Sequence, residues 1–195
     1  MYLPSHFNET RLDRLHGLIR QHPLGALVTH GADGLCADHI PFEIAAPADD
    51  APFGVLRAHV ARANPLWRQQ GEAMVVFQGP SAYVAPSLYE EKAASGKVVP
   101  TWNYTVVHAH GRLRAIEDPV WLLALLERLT NHHEAARPQP WSMHEAPREF
   151  LDKLAQAIVG IEIPVQRMQG KFKLSQNRSP GDRQRVAQDT GLGDA

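Results

Sequence analysis

Strand-like segments recur at short intervals along this chain, and this spacing restricts the folds that it can adopt. The segments carry alternating or continuous apolar residues and end at turn-forming Gly, Pro or Asp. They cover residues 24–30, 35–45, 53–60, 72–79, 81–86, 97–117 and 158–175. Because most of them follow one another without an intervening helix, they favour an antiparallel barrel over a doubly wound sheet. We predict a mainly β, α+β fold with six to seven strands.

About three peripheral helices are predicted beside this sheet. Asn8 is suited to cap the first, Asp118 is suited to cap the second, and Pro147 opens the third. After residue 177 the chain loses its apolar pattern. We therefore predict one domain over residues 1–177 and a flexible C-terminal tail over residues 178–195.

The composition is that of an ordinary globular protein. Of the 195 residues, 44% are hydrophobic and 21% are charged, so a core can form without disulfides or structural metals. The only cysteine, Cys36, excludes an internal disulfide and lies in a predicted strand, where we expect it to be buried. No apolar run is long enough for a membrane helix, and the N-terminus lacks a signal-peptide pattern. We expect a cytoplasmic protein without membrane contacts.

Residues 97–111, KVVPTWNYTVVHAHG, combine a strand pattern with aromatic and imidazole side chains. Side chains alternate along a strand with a period of two. One face therefore carries Trp102, Tyr104, Val106, His108 and His110. Flat rings suit the wall of a cleft for a planar heteroaromatic ligand, and aromatic residues are also enriched where two subunits meet. The sequence leaves both interpretations open.

The segment LRAHVARANPLW, residues 56–67, has the composition of an anion-binding site. Arg57, His59, Arg62 and Asn64 lie around the turn that ends a predicted strand. Backbone amides at such a turn, together with an arginine fork, bind phosphate groups. An ordinary solvated loop is the alternative.

Other binding chemistries have weaker signals. His108 and His110 have a spacing that suits a shared metal ion, yet no third ligand stands at a fixed distance from them, so we predict no metal site. The net charge of −1 gives no general attraction to nucleic acid. The basic stretch that is dense enough to contact DNA phosphates consists of Lys171, Lys173, Arg178, Arg183 and Arg185. We recognise no catalytic triad and name no catalytic residue.

Six motifs resemble those of the PaiB family, the FMN-binding negative transcriptional regulators. They are MYLPSHF, HIPF, AHVARANPLW, VVFQGPSAYVAPS, VPTWNYTVVHAHG and GKFKLSQN, and the similarity extends from residue 1 to about residue 191. The unusual Thr-Trp-Asn-Tyr combination makes this resemblance specific. It implies a split β-barrel related to pyridoxamine phosphate oxidases and flavin reductases. It also implies a homodimer with FMN in a cleft between the subunits.

The resemblance further indicates which residues contact FMN. His59, Arg62 and Asn64 match the segment that holds the phosphate, and we expect Arg62 to be its main anchor. His39 lies in the strand that flanks the isoalloxazine ring. The complete set of predicted cofactor-binding residues is His39, Arg57, His59, Arg62, Asn64, Trp102, Asn103, Tyr104, Lys171, Lys173 and Gln176.

The resemblance implies a PaiB-type transcriptional regulator, but the residues leave a second function open. The alternative is a flavin-dependent oxidoreductase that acts on a small substrate with NAD(P)H, since the cofactor carries the redox chemistry and no acid–base pair is required. Whether the protein is an enzyme is left undecided. Haem binding through one of the eleven histidines is a third possibility, although none is marked as an axial ligand.

Overall fold

Strands dominate the fold, as the spacing of the apolar segments predicts. The computed structural model describes residues 1–32, 34–69 and 71–193. Its strands are β1 (Asn8–Glu9), β2 (Leu24–Gly31), β3 (Gly34–Pro41), β4 (Glu43–Ala45), β5 (Val55–Ala61), β6 (Glu72–Val84), β7 (Thr101–Arg112), β8 (Arg114–Ile116) and β9 (Ile158–Lys173). The antiparallel, strand-rich α+β class is confirmed. The described chain has more strands than predicted, because the predicted segments 35–45 and 97–117 each divide into two strands and because β1, with two residues, is too short for a periodic pattern.

The strand order is β3-β2-β6-β7-β9-β5-β4, and β1 and β8 each pair with β9. β2 and β3 form an antiparallel hairpin that runs from the Leu24–Pro41 pair to the Gly31–Gly34 pair. β5 pairs antiparallel with the first half of β9. The sequence predicted two strands on either side of Gly79-Pro80, whereas β6 continues through both residues.

Five α-helices accompany the strands in the described residues. They are α1 (Leu12–Gln21), α2 (Glu91–Ala94), α3 (Pro119–Glu134), α4 (Arg148–Gln156) and α5 (Pro180–Thr190). The predicted cap of α3 is confirmed, since Asp118 Oδ1 accepts a hydrogen bond from the backbone N–H of Val120 at 2.9 Å. None of these helices is both long enough and apolar enough to cross a membrane.

The predicted helix cap at Asn8 is wrong. Asn8 lies in β1, opposite Lys171, and α1 begins only at Leu12. The cause is the pairing of β1 with β9, together with Glu9, whose carboxylate accepts a hydrogen bond from the backbone N–H of Arg11 at 2.9 Å. This bond holds the chain extended immediately before the helix, so the first turn cannot form at Asn8.

The chain divides into two compact units, a division that the prediction of one domain over residues 1–177 did not include. Unit 1 comprises Met1–His22, Phe77–His108 and Gln169–Ala195, and unit 2 comprises Pro23–Val76 and Ala109–Met168. Strands β6, β7 and β9 contribute residues to both units. Each unit has fully buried apolar side chains of its own, such as Ile19, Phe77 and Val186 in unit 1 and Leu56, Leu125 and Ile161 in unit 2.

Residues 178–195, predicted to be a flexible tail, contain helix α5. Val186 is completely buried in this helix and packs in a cluster with Val84 and Tyr89. Asp182 Oδ1 also accepts a hydrogen bond from the backbone N–H of Glu90 at 3.0 Å. One buried apolar residue and a few polar contacts thus hold α5 against the rest of unit 1. A helix with so few apolar residues has no periodic apolar pattern, so the sequence did not predict it.

β3 exposes Cys36, which the sequence predicted to be buried. Cys36 is exposed, and Leu35 retains 76% of its accessible surface. The physical reason is position, since β3 is the last strand in the order and, among the described strands, pairs with β2 alone. Burial of a strand residue therefore depends on neighbours that its own sequence does not specify.

Candidate functional site

Strand β7 shows the predicted alternation of its two faces. Trp102 retains 56% of its surface and Tyr104 is half-buried, whereas Asn103, between them, retains 1%. His108 is also half-buried on the ring-bearing face. The structure brings six of the predicted cofactor residues into unit 1: Trp102, Asn103, Tyr104, Lys171, Lys173 and Gln176. The other five lie in unit 2: His39, Arg57, His59, Arg62 and Asn64.

In unit 1, two lysines at the end of β9 approach the aromatic residues. Lys171 is buried, and its Nζ lies 5.4 Å from the ring centre of Tyr104 and 5.6 Å from that of Tyr2. It also donates a hydrogen bond to the backbone oxygen of Tyr2 at 3.1 Å. Lys173 Nζ donates to the backbone oxygen of Trp102 at 2.6 Å. Ring faces and carbonyl oxygens thus stabilise both ammonium groups.

Arg178 adds a third positive charge to this region, with its guanidinium 4.3 Å from the ring centre of Tyr89. Burial, together with the charges of Lys171 and Arg178, lowers the pKa of Lys173 below its ordinary value. In the described part of the chain, no carboxylate pairs with any of these three side chains, which we call the cationic cluster. Uncompensated positive charge of this kind favours binding of an anion.

The turn that follows β9 fixes the position of the lysines. Ser175, with a φ of 67°, places its Oγ 3.1 Å from Asn103 Nδ2 and 3.2 Å from Asn103 Oδ1. The Gln176 side chain bonds to backbone atoms of Leu174 and Phe172. Asn103 and Gln176 are therefore positioning residues, because their side-chain polar atoms are already bonded within the protein.

Trp102 has an exposed aromatic neighbour in the same unit. Its ring centre lies 6.1 Å from that of Tyr83 in an edge-to-face arrangement, and Tyr83 retains 51% of its surface. Tyr83, Tyr2 and Arg178 belong to this region although the sequence did not single out any of them as a cofactor contact. The family motifs MYLPSHF and SAYVAP contain both tyrosines, and this was the available signal.

In unit 2, Arg62 is bonded on three sides by the protein itself. Its Nε donates to the backbone oxygen of Gln156 at 2.9 Å, and one terminal nitrogen donates to that of Ile158 at 3.2 Å. The other terminal nitrogen contacts Glu117 Oε2 at 2.5 Å. The guanidinium therefore joins the end of β5 to the α4–β9 connection, and a phosphate would have to compete with Glu117.

The neighbouring residues of the predicted anion site are also bonded internally. Arg57 pairs with Glu162 at 3.1 Å. Asn64 Oδ1 accepts a hydrogen bond from the backbone N–H of Leu66 at 2.9 Å, and Asn64 Nδ2 donates to Asp38 Oδ1 at 3.0 Å. These contacts stabilise the turn after β5. They occupy the side-chain polar groups of Arg57 and Asn64, which the sequence predicted to bind phosphate.

The two histidines of the predicted set differ from these residues. His39 is exposed on β3. Burial lowers the pKa of His59, and its Nδ1 has no hydrogen-bond partner in the described chain. His59 lines a pocket of about 330 Å³ together with Leu126, Leu129 and Trp141. Burial thus favours the neutral imidazole, which can hydrogen-bond a ligand.

The contacts of Arg62 predict a loss of stability when it is replaced. Arg62→Ala should lower the free energy of unfolding by about 1–2 kcal/mol, since hydrogen bonds to a charged group are lost from a partly exposed side chain. Urea denaturation measures this change. Arg128→Ala is the matched control, because Arg128 pairs on the surface with Glu43 at 3.0 Å and its replacement should cost less than about 1 kcal/mol. Equal costs would contradict a structural role for Arg62.

Comparison with known proteins identifies the family of this chain. Residues 1–167 match the family model described as "Putative FMN-binding domain". An uncharacterised protein of Emericella nidulans is 37% identical, and the alignment covers 95% of this chain and 88% of that protein. Protease synthase and sporulation protein PAI 2 of Bacillus subtilis is 32% identical, with 93% and 85% covered.

A solved structure shows the same fold at low identity. The FAD and haem binding protein of Mycobacterium smegmatis superposes with a TM-score of 0.63 and 16% identity, covering 96% of this chain and 82% of that one. The confirmed sequence resemblance and this fold agree with each other. The chain therefore belongs to the FMN-binding domain family of PaiB-like proteins, and FMN is its cofactor.

Proposed function

We propose that unit 1 binds FMN, with the phosphate at the cationic cluster and the ring system along the exposed face of Trp102. The observation that carries this proposal is the cationic cluster itself, three positive side chains that no described carboxylate neutralises. A phosphate monoester brings up to two negative charges and three acceptor oxygens, which suit this donor set. The residues present therefore fit FMN.

Each part of this region has a separate role in the proposal. Lys171, Lys173 and Arg178 bind and orient the phosphate, while Trp102 and Tyr83 offer flat apolar surface to the ring. Bound FMN supplies hydride or single-electron transfer, and the protein supplies position and electrostatics. Titration with FMN and with riboflavin, followed by flavin fluorescence, tests the assignment. FMN should bind more tightly, and equal affinities would show that the phosphate makes no net contact.

In unit 2, contact of His39 and His59 with flavin stays a prediction. Both have ring nitrogens that are available to a ligand, since His39 is exposed and His59 Nδ1 is unpaired in the described chain. We assign Arg57, Arg62 and Asn64 instead to the turn after β5, because their polar groups bond within the protein.

We also propose that the protein is a homodimer. Trp102 and Tyr83 expose aromatic surface in unit 1, and Leu24 and Leu35 expose aliphatic surface in unit 2. Exposed apolar groups of this size are typical of protein interfaces. Sedimentation at micromolar concentration should give about twice the chain mass of 21.7 kDa. A monomer that still binds FMN would contradict a cleft shared by two copies.

A regulatory role by direct DNA contact finds little support in the basic stretch. Lys171 is buried, and Arg185 bonds to Glu90, Asp182 and the backbone oxygen of Leu88. We therefore expect weak, salt-sensitive binding or none when promoter and random duplexes are compared between about 50 and 200 mM salt. Promoter preference that survives the higher salt would reveal a base-reading element and favour the PaiB-type regulator.

The second candidate function is an NAD(P)H-dependent oxidoreductase, favoured by the exposed aromatic face that leaves room for a substrate beside the flavin. Anaerobic addition of NAD(P)H to the FMN-loaded protein should then bleach the flavin absorbance band. A flavin that stays oxidised under these conditions would favour a role in regulation instead.

A further inference from the structure

Helix α5 adjoins the cationic cluster through Tyr89, which lies in the connection between β6 and β7. Tyr89 retains 3% of its surface, and the guanidinium of Arg178 lies over its ring, 4.3 Å from the ring centre. The backbone N–H of Arg178 donates a hydrogen bond to the backbone oxygen of Ser175 at 2.9 Å. Arg178 is therefore held through its side chain by an aromatic ring and through its backbone by the turn after β9.

The contact with Tyr89 leaves the hydrogen-bond donors of Arg178 available. A guanidinium over an aromatic face is stabilised by the charge distribution of the ring and does not use its hydrogen bonds. The side-chain N–H groups of Arg178 donate to no residue in the described part of the chain. Because an arginine can bind a phosphate through two parallel hydrogen bonds, a guanidinium held in place by the ring is already prepared for this contact.

Tyr89 is in turn fixed by α5. Val186, in the middle of this helix, is completely buried in one cluster with Tyr89. Polar side chains of α5 also bond to the two residues that flank Tyr89. These bonds run from Arg185 Nε to the backbone oxygen of Leu88 at 2.9 Å and from the backbone N–H of Glu90 to Asp182 Oδ1 at 3.0 Å. The position of Tyr89 therefore depends on whether α5 is docked.

The docking of α5 rests on few buried groups. Of its 11 residues, only Asp182 and Val186 are buried. A helix of this length is not stable alone in water, because its first turn fixes several residues for one hydrogen bond. Detachment would therefore unfold α5 and expose its backbone amides. Segments with so few buried contacts are the ones that open locally while the rest of a protein stays folded.

We propose that docking of α5 and binding of the FMN phosphate are coupled through Tyr89, which positions Arg178. This inference rests on the proposed FMN site. When α5 is docked, Tyr89 holds the Arg178 guanidinium within the cationic cluster. A phosphate bound there favours the docked helix, and by thermodynamic reciprocity a detached helix weakens phosphate binding by the same factor. Detachment of α5 thus lowers the affinity for FMN and leaves riboflavin, which has no phosphate, unaffected.

Hydrogen–deuterium exchange of the full chain tests this coupling without a substitution. The protein is measured alone, with FMN and with riboflavin, each flavin at a concentration that gives the same occupancy. FMN should slow amide exchange in residues 180–190 about fivefold or more, and riboflavin should leave it unchanged. Equal protection by the two flavins, or no protection by saturating FMN, would overturn the coupling.

Substitutions of Tyr89 test its role as a positioning residue. Tyr89→Leu should weaken FMN binding about 3- to 10-fold and leave riboflavin binding unchanged, because the ring that holds Arg178 is lost. Tyr89→Phe is the matched control, since it keeps the ring and removes a hydroxyl that has no hydrogen-bond partner in the described chain. It should bind FMN like the wild type. Equal losses of both flavins in Tyr89→Leu would show a merely structural role.

Lys173→Met separates this inference from the FMN proposal. A selective loss of FMN in Lys173→Met but not in Tyr89→Leu would keep the cationic cluster as the phosphate site and remove the role of Tyr89 and α5. Equal affinities of the wild type for FMN and riboflavin would remove the phosphate site itself, and the coupling with it.

Discussion

Lys173→Met should weaken FMN binding about 10- to 150-fold and leave riboflavin binding nearly unchanged. A hydrogen bond to a charged group contributes about 1.5–3 kcal/mol, and riboflavin lacks the phosphate that would receive it. Lys173 is the decisive member of the cationic cluster, because burial and, to a smaller extent, the nearby charges of Lys171 and Arg178 already lower its pKa. A bound phosphate would offset the repulsion between these three positive charges, which persists in the protein without ligand.

Three variants complete this experiment. Lys153→Met is the matched control, since Lys153 is exposed on α4 and belongs to unit 2. Lys171→Met should also weaken FMN selectively. Arg62→Ala tests the prediction from sequence that Arg62 is the main phosphate anchor. A larger selective loss of FMN in Arg62→Ala than in Lys173→Met would restore that prediction and remove the cationic cluster as the phosphate site.

The same lysine predicts how FMN affinity depends on pH. Binding of the phosphate requires the ammonium form of Lys173, so affinity is fully present below its pKa and declines as pH rises through it. Because this pKa is lowered in the folded protein, the decline should begin at a lower pH than for an ordinary lysine. The decline should be much smaller in Lys173→Met, and an unchanged profile would contradict the assignment.

Asn103→Ala should lower the free energy of unfolding by about 2–4 kcal/mol. The Asn103 side chain is buried with 1% exposure, and both of its polar atoms contact Ser175 Oγ. Truncation removes these contacts, leaves the Ser175 hydroxyl unpaired and opens a small cavity. Chemical denaturation at constant m-value measures the effect.

A double-mutant cycle shows whether the cost arises from this pair. Ser175→Ala alone and the Asn103→Ala/Ser175→Ala double variant complete it, and the double variant should be more stable than the sum of the single losses predicts. Strict additivity would show that the two residues act independently. Where the single variants still fold, FMN affinity should fall as well, because the pair positions Lys173 relative to β7.

The local pattern of this chain decided which residues form strands and which faces they share. The period-two alternation around Trp102 and Asn103 is visible in the letters alone, because a strand's two faces follow from its backbone geometry. The cap at Asp118 was equally predictable, since it depends on two residues close in sequence. Asn8 was not, because its role is set by pairing with Lys171, far away in the chain.

Charge compensation, by contrast, was decided only by tertiary structure. Arg62 and Lys173 look alike in sequence as cations within family motifs. Folding brings Glu117 and two backbone oxygens to Arg62 but no carboxylate of the described chain to Lys173. A residue's type is local, but its partners come from distant segments, so the binding roles proposed for these residues rest on the fold.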